Sequence, residues 1–143
     1  MALIHIGQDL TILNLLKNHI HNAAKVYPTL ADGERVIGGA GLWELGSFKE
    51  IVPANSITDL FMIHYINIEG ASTDDVYEIV IYAATVEIGR VRITFIDIAN
   101  SQTLPSVPFM DVVIPANTQI QAKCATKGGG SETVDISLAY HDH

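Results

Sequence analysis

From residue 56 onward the chain is a series of short apolar segments separated by turn-forming residues, and this pattern limits what it can fold into. The segments are rich in β-branched and aromatic residues and cover 56–68, 76–83, 85–98, 109–114, 118–126 and 133–140. Apolar and polar residues alternate in most of them, as is typical of strands with one buried face. Six to eight such strands with regular turn signals predict an all-β fold, an antiparallel sandwich and most economically a jelly roll.

The alternation also assigns faces within individual strands. In the segment 76–83, Tyr77, Ile79 and Ile81 share one face, and in 133–140 the inward residues are Val134, Ile136, Leu138 and Tyr140. In 85–98 the apolar residues before Gly89 are out of phase with those after it. A glycine at such a change predicts a β-bulge that shifts the register.

The phrase Pro-Ala-Asn occurs twice, at 53–55 and at 115–117, each time after β-branched residues and before Ser or Thr. Proline fixes φ and lacks an N–H, so it suits the end of a strand. Asn tolerates left-handed backbone angles, and a following hydroxyl can bond nearby backbone. The repeat therefore predicts two corners, where the chain leaves one strand and re-phases before the next. Nothing in it titrates, so it is not a catalytic motif.

One helix is predicted ahead of the strands, over residues 8–26. Asp9 can cap its first turn, and Pro28 closes the segment. One apolar face is formed by Leu13, Leu16, Ile20 and Ala23. Such a helix either packs on the nearest sheet or docks on a neighbouring subunit. We expect one domain over 1–143, with the sandwich at about 35–140.

A glycine-rich stretch, 30–50, precedes the strands and carries two aromatic residues, Trp43 and Phe48. Its sequence Gly-Gly-Ala-Gly at 38–41 lacks the Lys-Ser/Thr of a phosphate-binding loop, so turns and a bulge are the better interpretation. Trp43 and Phe48 are either buried in the core or exposed as anchors of a protein interface.

Composition and charge exclude several classes of protein. With 48% hydrophobic and 17% charged residues, the chain is too apolar for a disordered protein and too interrupted for a membrane span. The net charge is −8 and basic residues are scattered, which argues against nucleic-acid binding. The N-terminus has no signal-peptide pattern. Cys124 is the only cysteine, so no internal disulfide forms.

No motif for catalysis, a cofactor or a metal is found, and we expect none of the three. His19 and His21 are two residues apart on the predicted helix, so they point in different directions and cannot share a metal. His64 stands alone in a strand. His141 and His143 lie at the C-terminus, where a frayed tail is expected.

Two long stretches resemble the jelly-roll cement, or decoration, proteins of tailed-bacteriophage capsids. The first is LWELGSFKEIVPANSITDLFMIHYINI, which resembles the first corner of that sandwich, and the second is VVIPANTQIQAKCATKGGGSETVDISLAY, which resembles its C-terminal hairpin. The resemblance covers roughly residues 40–140 and leaves the N-terminal helix unplaced. Its motifs are structural corners and not active-site residues.

The resemblance implies a non-enzymatic structural protein of the virion. Such proteins bind the outer capsid surface and bridge major capsid subunits as homodimers or homotrimers, with no contact to nucleic acid or membrane. This chain would then be made in the host cytoplasm, and Leu13, Leu16, Trp43 and Phe48 are the candidate contact residues. Two alternatives remain open: a carbohydrate- or receptor-binding module of a fibre tip, and a metal-dependent enzyme on the same fold.

Overall fold

The structure is a computed structural model and describes residues 23–101, 104–109 and 113–143. These residues form ten strands and one short 3-10 helix, Ile98–Asn100. The strands are β1 (Lys25–Tyr27), β2 (Glu34–Ile37), β3 (Lys49–Val52), β4 (Phe61–Ala71), β5 (Val76–Ala83), β6 (Val86–Thr94), β7 (Ser106–Pro108), β8 (Val113–Ile114), β9 (Ile120–Thr126) and β10 (Thr133–Asp142).

The strands form two sheets, and within each sheet all neighbouring strands are antiparallel. The six-stranded sheet has the order β1-β10-β4-β7, with β2 also on β10 and β8 also on β4; the four-stranded sheet has the order β3-β9-β5-β6. The pairs are nested along the chain: β2 with β10, β3 with β9, β4 with β7 and β8, and β5 with β6. This nested order is that of a jelly roll. The predicted all-β antiparallel sandwich is confirmed.

The core lies between the two sheets and uses the faces predicted by alternation. Tyr77, Ile79 and Ile81 of β5 are buried against the inward residues of β10, which are Val134, Ile136, Leu138 and Tyr140. Each fully buried Ile contributes roughly 1.5–3 kcal/mol relative to an exposed one. The Tyr77 hydroxyl, at the end of the core, donates to the Thr73 carbonyl at 3.1 Å. The predicted inward faces are therefore confirmed.

The two Pro-Ala-Asn corners are the crossings between the sheets. The first leads from β3 in the four-stranded sheet toward β4 in the six-stranded sheet, and the second leads from β8 back to β9. Asn55 and Asn117 both have left-handed backbone angles, with φ of 66° and 64°. Thr118 donates its hydroxyl to the Pro115 carbonyl at 2.7 Å. The predicted conformation is therefore confirmed at both corners.

The corners also bind each other, which explains why the phrase is repeated. The Asn55 N–H donates to the Asn117 carbonyl at 3.2 Å, and the Asn117 N–H donates to the Ile57 carbonyl at 2.8 Å. The chain therefore crosses between the sheets twice in opposite directions at one place, and each turn satisfies backbone groups of the other.

The bulge predicted at Gly89 is present. Ile81 pairs with Gly89 while its neighbour Tyr82 pairs with Glu87, so Ile88 is the extra residue. A side chain at position 89 would clash, because a Cβ there would lie 2.8 Å from the ring of Phe109. The absence of a side chain at Gly89 therefore lets the ring of Phe109 pack closely on β6.

Several strand ends differ from those predicted. The helix predicted to end at residue 26 conflicts with Lys25–Tyr27, which pairs with β10 as a strand; residues 8–22 of that helix lie outside the described residues. The loop predicted before residue 109 contains β7, which adds to the edge of β4. Residues 56–60 and 95–98 lie outside β4 and β6. Short edge strands depend on a partner elsewhere in the chain and carry little pattern of their own.

Candidate functional site

The segment 38–48, which we call the cover segment, runs from β2 to β3 along the four-stranded sheet. Its backbone is fixed by hydrogen bonds at its first residue and at two positions further along. The Trp43 N–H donates to the Thr126 carbonyl at 2.8 Å, the Gly46 N–H to the Cys124 carbonyl at 2.9 Å, and the Gly38 N–H to the Glu132 carbonyl at 2.9 Å. A segment without regular structure is thereby attached to β9 and the β9–β10 hairpin.

The cover segment places apolar side chains on the outer face of the four-stranded sheet, meaning the face turned away from the core. Val80 on β5 points to this side, because its neighbours Ile79 and Ile81 point into the core. Even so, Val80 is 0% exposed, and Ala125 beside it is also buried, although neither belongs to the core cluster. The outer face therefore has a small apolar layer of its own.

Trp43 is the most conspicuous residue of this layer. Its side chain is 42% exposed, and its ring lies 4.6 Å from the guanidinium carbon of Arg92 on β6. Its φ is 55°, a left-handed conformation that costs a residue other than glycine about 1–2 kcal/mol. The hydrogen bond from its N–H to the Thr126 carbonyl holds the backbone in this conformation.

Phe48 lies on the same face. It is 45% exposed, its ring meets Tyr82 edge-on at a centroid distance of 4.9 Å, and the ammonium of Lys123 lies 4.2 Å from the ring centre. Leu45 stands between the two aromatic residues and lines the hollows beside both. We call Trp43, Leu45 and Phe48 the apolar ridge.

A charged network borders the ridge on β5 and β6. Arg90 donates to Glu78 at 2.8 Å and to Glu87 at 2.7 Å, and Arg92 also binds Glu78. The hydrogen bond from Arg92, reinforced by Arg90, holds the pKa of Glu78 below its usual value of 4.5. The Glu78 side chain is only 14% exposed. This largely buried carboxylate binds both arginines on the outer face.

An open cleft of about 540 Å³ lies beside Phe48, between the cover segment and β9. Its lining includes three cationic side chains and one carboxylate, which are Arg35, Lys49, Lys123 and Glu44. Arg35 is paired with Asp135, and Lys49 with Glu34. The cleft therefore combines an aromatic wall with one cation, Lys123, that forms no ion pair with the described residues.

Known proteins similar to this chain are found among solved structures. No protein-family model and no curated protein matches the chain. Among solved structures, the infectious bursal disease virus VP2 subviral particle matches at 18% identity and a TM-score of 0.45, over 86% of this chain and 34% of the other. The Gx strain of that virus gives 19% identity and a TM-score of 0.43, over 86% and 33%. The chain spans about a third of each matched chain, and likenesses at this level carry no argument about function.

The structure places two of the four predicted contact residues. Trp43 and Phe48 are both exposed and stand on one face, so the alternative of a core position is excluded for them. Leu13 and Leu16 lie outside the described residues. Sequence reasoning missed Leu45 and the two cations that cover the aromatic rings, because their approach depends on the path of the cover segment.

A frayed tail was expected at the C-terminal histidines, and this prediction is wrong. β10 continues to Asp142, His141 is buried, and the His143 N–H donates to the Leu60 carbonyl at 2.9 Å. His64, which the sequence analysis left alone in its strand, stacks on His141 with ring centroids 4.5 Å apart. Only the register between β4 and β10 brings them together, and the sequence does not give that register.

Groups that could support other chemistry are few in the part of the chain that the structure describes. No set of three His, Cys, Asp or Glu side chains there could hold a metal ion. Burial raises the pKa of the Cys124 thiol to about 12, which leaves it unreactive. Among these residues, no helix is long and apolar enough to cross a membrane. The apolar ridge is thus the feature that best supports a function.

Proposed function

We propose that this chain is a non-enzymatic structural protein of the virion, which binds the outer surface of an icosahedral phage capsid and bridges major capsid subunits. The observation that carries the proposal is the apolar ridge on the outer face of the four-stranded sheet. A jelly roll with such a ridge is a rigid platform that presents one surface to a partner.

The ridge has the properties of a protein-binding surface. Exposed apolar groups that lie together mark interaction sites, and Trp is among the residues that contribute most binding energy. The ring of Trp43 is held by Arg92 and its backbone by Thr126, so little conformational entropy is lost when a partner binds.

Attachment to the assembled shell would strengthen it by mass action. A protein that binds the assembled lattice and not the free subunits shifts the equilibrium toward assembly. Binding as a homodimer or homotrimer adds avidity, so that contacts of modest strength suffice. The net charge of −8 fits contact with protein and not with packaged nucleic acid.

The test compares two exposed aromatic residues on opposite sheets. Trp43→Ala should weaken binding to purified capsid shells by about tenfold or more, the range typical of a central interface residue. Tyr65→Ala is the matched control, because Tyr65 is 45% exposed on β4 of the six-stranded sheet. Binding is measured by co-sedimentation with shells over a range of protein concentrations, after circular dichroism has shown that both variants are folded.

The two variants show whether the apolar ridge contacts the shell. We expect Tyr65→Ala to bind as the unchanged protein does. Equal binding by the Trp43→Ala variant, or no binding by the unchanged protein, would contradict the proposal.

A further inference from the structure

We propose that the cleft beside Phe48 is a binding site for a carboxylate of the partner protein, presented on a loop next to an apolar side chain. Lys123 would pair with the carboxylate, and Phe48 would contact the apolar group. The inference rests on the proposed function for the identity of the partner, but its chemistry can be tested without any capsid.

The charges of the described residues single out Lys123. Ion pairs are formed by five of the cationic side chains, which are Lys25, Arg35, Lys49, Arg90 and Arg92. Lys123 is different: its ammonium lies over the ring of Phe48 and forms no ion pair with the described residues. Lys127, on the β9–β10 hairpin, also forms no ion pair with the described residues, but it does not line the cleft.

Lys123 is held at the cleft by its place in β9. It pairs in register with Val80, whose side chain is on the outer face, so the lysine is also directed away from the core. Its ammonium lies 4.2 Å from the ring centre of Phe48. The ammonium has three N–H donors, and an aromatic ring accepts hydrogen bonds less well than an oxygen anion does. A carboxylate from outside the chain would accept these hydrogen bonds and form an ion pair with Lys123.

The carboxylate that lines the cleft forms no ion pair with Lys123. Glu44 accepts a hydrogen bond from the Gly41 N–H at 2.6 Å, so it is occupied by its own turn. Arg35 and Lys49 at the cleft are paired with carboxylates on β10 and β2. Lys123 is thus the cation of the cleft that forms no ion pair with the described residues, and an acidic side chain of a partner fits it.

A protein loop fits this cleft better than a polyanion does. The net charge of −8 repels a nucleic-acid backbone, whereas a single carboxylate beside a leucine-like side chain matches one cation beside one aromatic ring. The occupant is therefore expected to be an Asp or Glu next to an aliphatic residue.

The first experiment uses short peptides and the whole chain. Amide signals of the isotopically labelled protein are followed by NMR during titration with acetyl-Asp-Leu-amide, and separately with acetyl-Asn-Leu-amide and with inorganic phosphate. We expect saturable shifts at residues 44–49 and 122–124 with the acidic peptide, at least tenfold weaker binding of the Asn peptide, and no preference for phosphate.

Two variants locate the effect. Lys123→Met keeps the length of the side chain and removes its charge, so it should abolish the advantage of the acidic peptide over the Asn peptide. Lys127→Met is the matched control and should leave the advantage unchanged. Equal shifts with both peptides, shifts centred elsewhere, or tighter binding of phosphate would each overturn the proposal.

A second experiment separates this inference from the proposed function. On capsid shells, Lys123→Met should lower affinity about tenfold and reduce its dependence on salt, because a screened ion pair is lost. If the unchanged protein failed to bind shells while the peptide result held, the proposed function would be wrong and the carboxylate site would stand. If the unchanged protein and Lys123→Met bound shells equally, the carboxylate site would be wrong as the contact to the shell.

Discussion

Asn55 and Asn117 show how single residues determine the path of this chain between its sheets. Each has a left-handed backbone at the middle of a corner, and the two corners hydrogen-bond to each other. This conformation was predicted from the residue types alone, because Asn tolerates it and Pro two positions earlier ends the strand. The left-handed Trp43 could not be predicted, since an aromatic residue has no preference for that region and is held there by Thr126.

The left-handed angles make a prediction for the two corners. Asn55→Ala and Asn117→Ala should each lower the free energy of unfolding by about 1–2 kcal/mol, because alanine disfavours a positive φ. Asn55→Gly and Asn117→Gly should be less destabilising, because glycine adopts this conformation freely. Urea unfolding measures all four variants. A glycine variant as unstable as the alanine variant would mean that the asparagine side chain, and not its backbone, is what matters.

At the scale of elements, β5 and β6 form a hairpin whose outer face is organised by charge. Glu78 on β5 receives hydrogen bonds from Arg90 and Arg92 on β6, both of which stand on the strand that ends the four-stranded sheet. Two arginines on an edge strand also hinder pairing with the edge of another molecule. The alternation of β5 was predicted from sequence, but the cross-strand partners were not, because the bulge at Ile88 shifts the register.

The network makes stability dependent on acid pH. The folded-state pKa of Glu78 is lowered, so its contribution is fully present above the usual value of 4.5 and is lost as the pH falls through the folded-state pKa. Glu78→Gln should cost about 1–2 kcal/mol at pH 7, because two arginines lose a shared carboxylate. The difference between the two proteins should shrink below about pH 4.

Unfolding by urea at a series of pH values tests this dependence. Asp32→Asn provides the control, because Asp32 is an exposed carboxylate in the turn before β2 and forms no ion pair with the described residues. A difference between Glu78→Gln and the unchanged protein that stayed constant from pH 7 to pH 3 would show that the charge of Glu78 is not what stabilises the hairpin.

At the scale of the whole molecule, alternation and turn residues were enough to predict an antiparallel sandwich with two matching corners. They were not enough for β1, β2 and β7, because short edge strands are specified by their partners. The candidate surface was predicted in part: Trp43 and Phe48 were named, while their common face and the cleft with Lys123 depend on how the cover segment crosses β9. The stacking of His64 on His141 depends likewise on a register that joins distant residues.

Cryo-electron microscopy of capsid shells mixed with this protein tests the central claim most directly. We predict density for the chain on the outer surface at positions between major capsid subunits. In that density the apolar ridge faces the shell, and Tyr65 on the six-stranded sheet faces away from it. Bare shells at saturating protein, or a chain attached through the six-stranded sheet with Trp43 in solvent, would contradict the account.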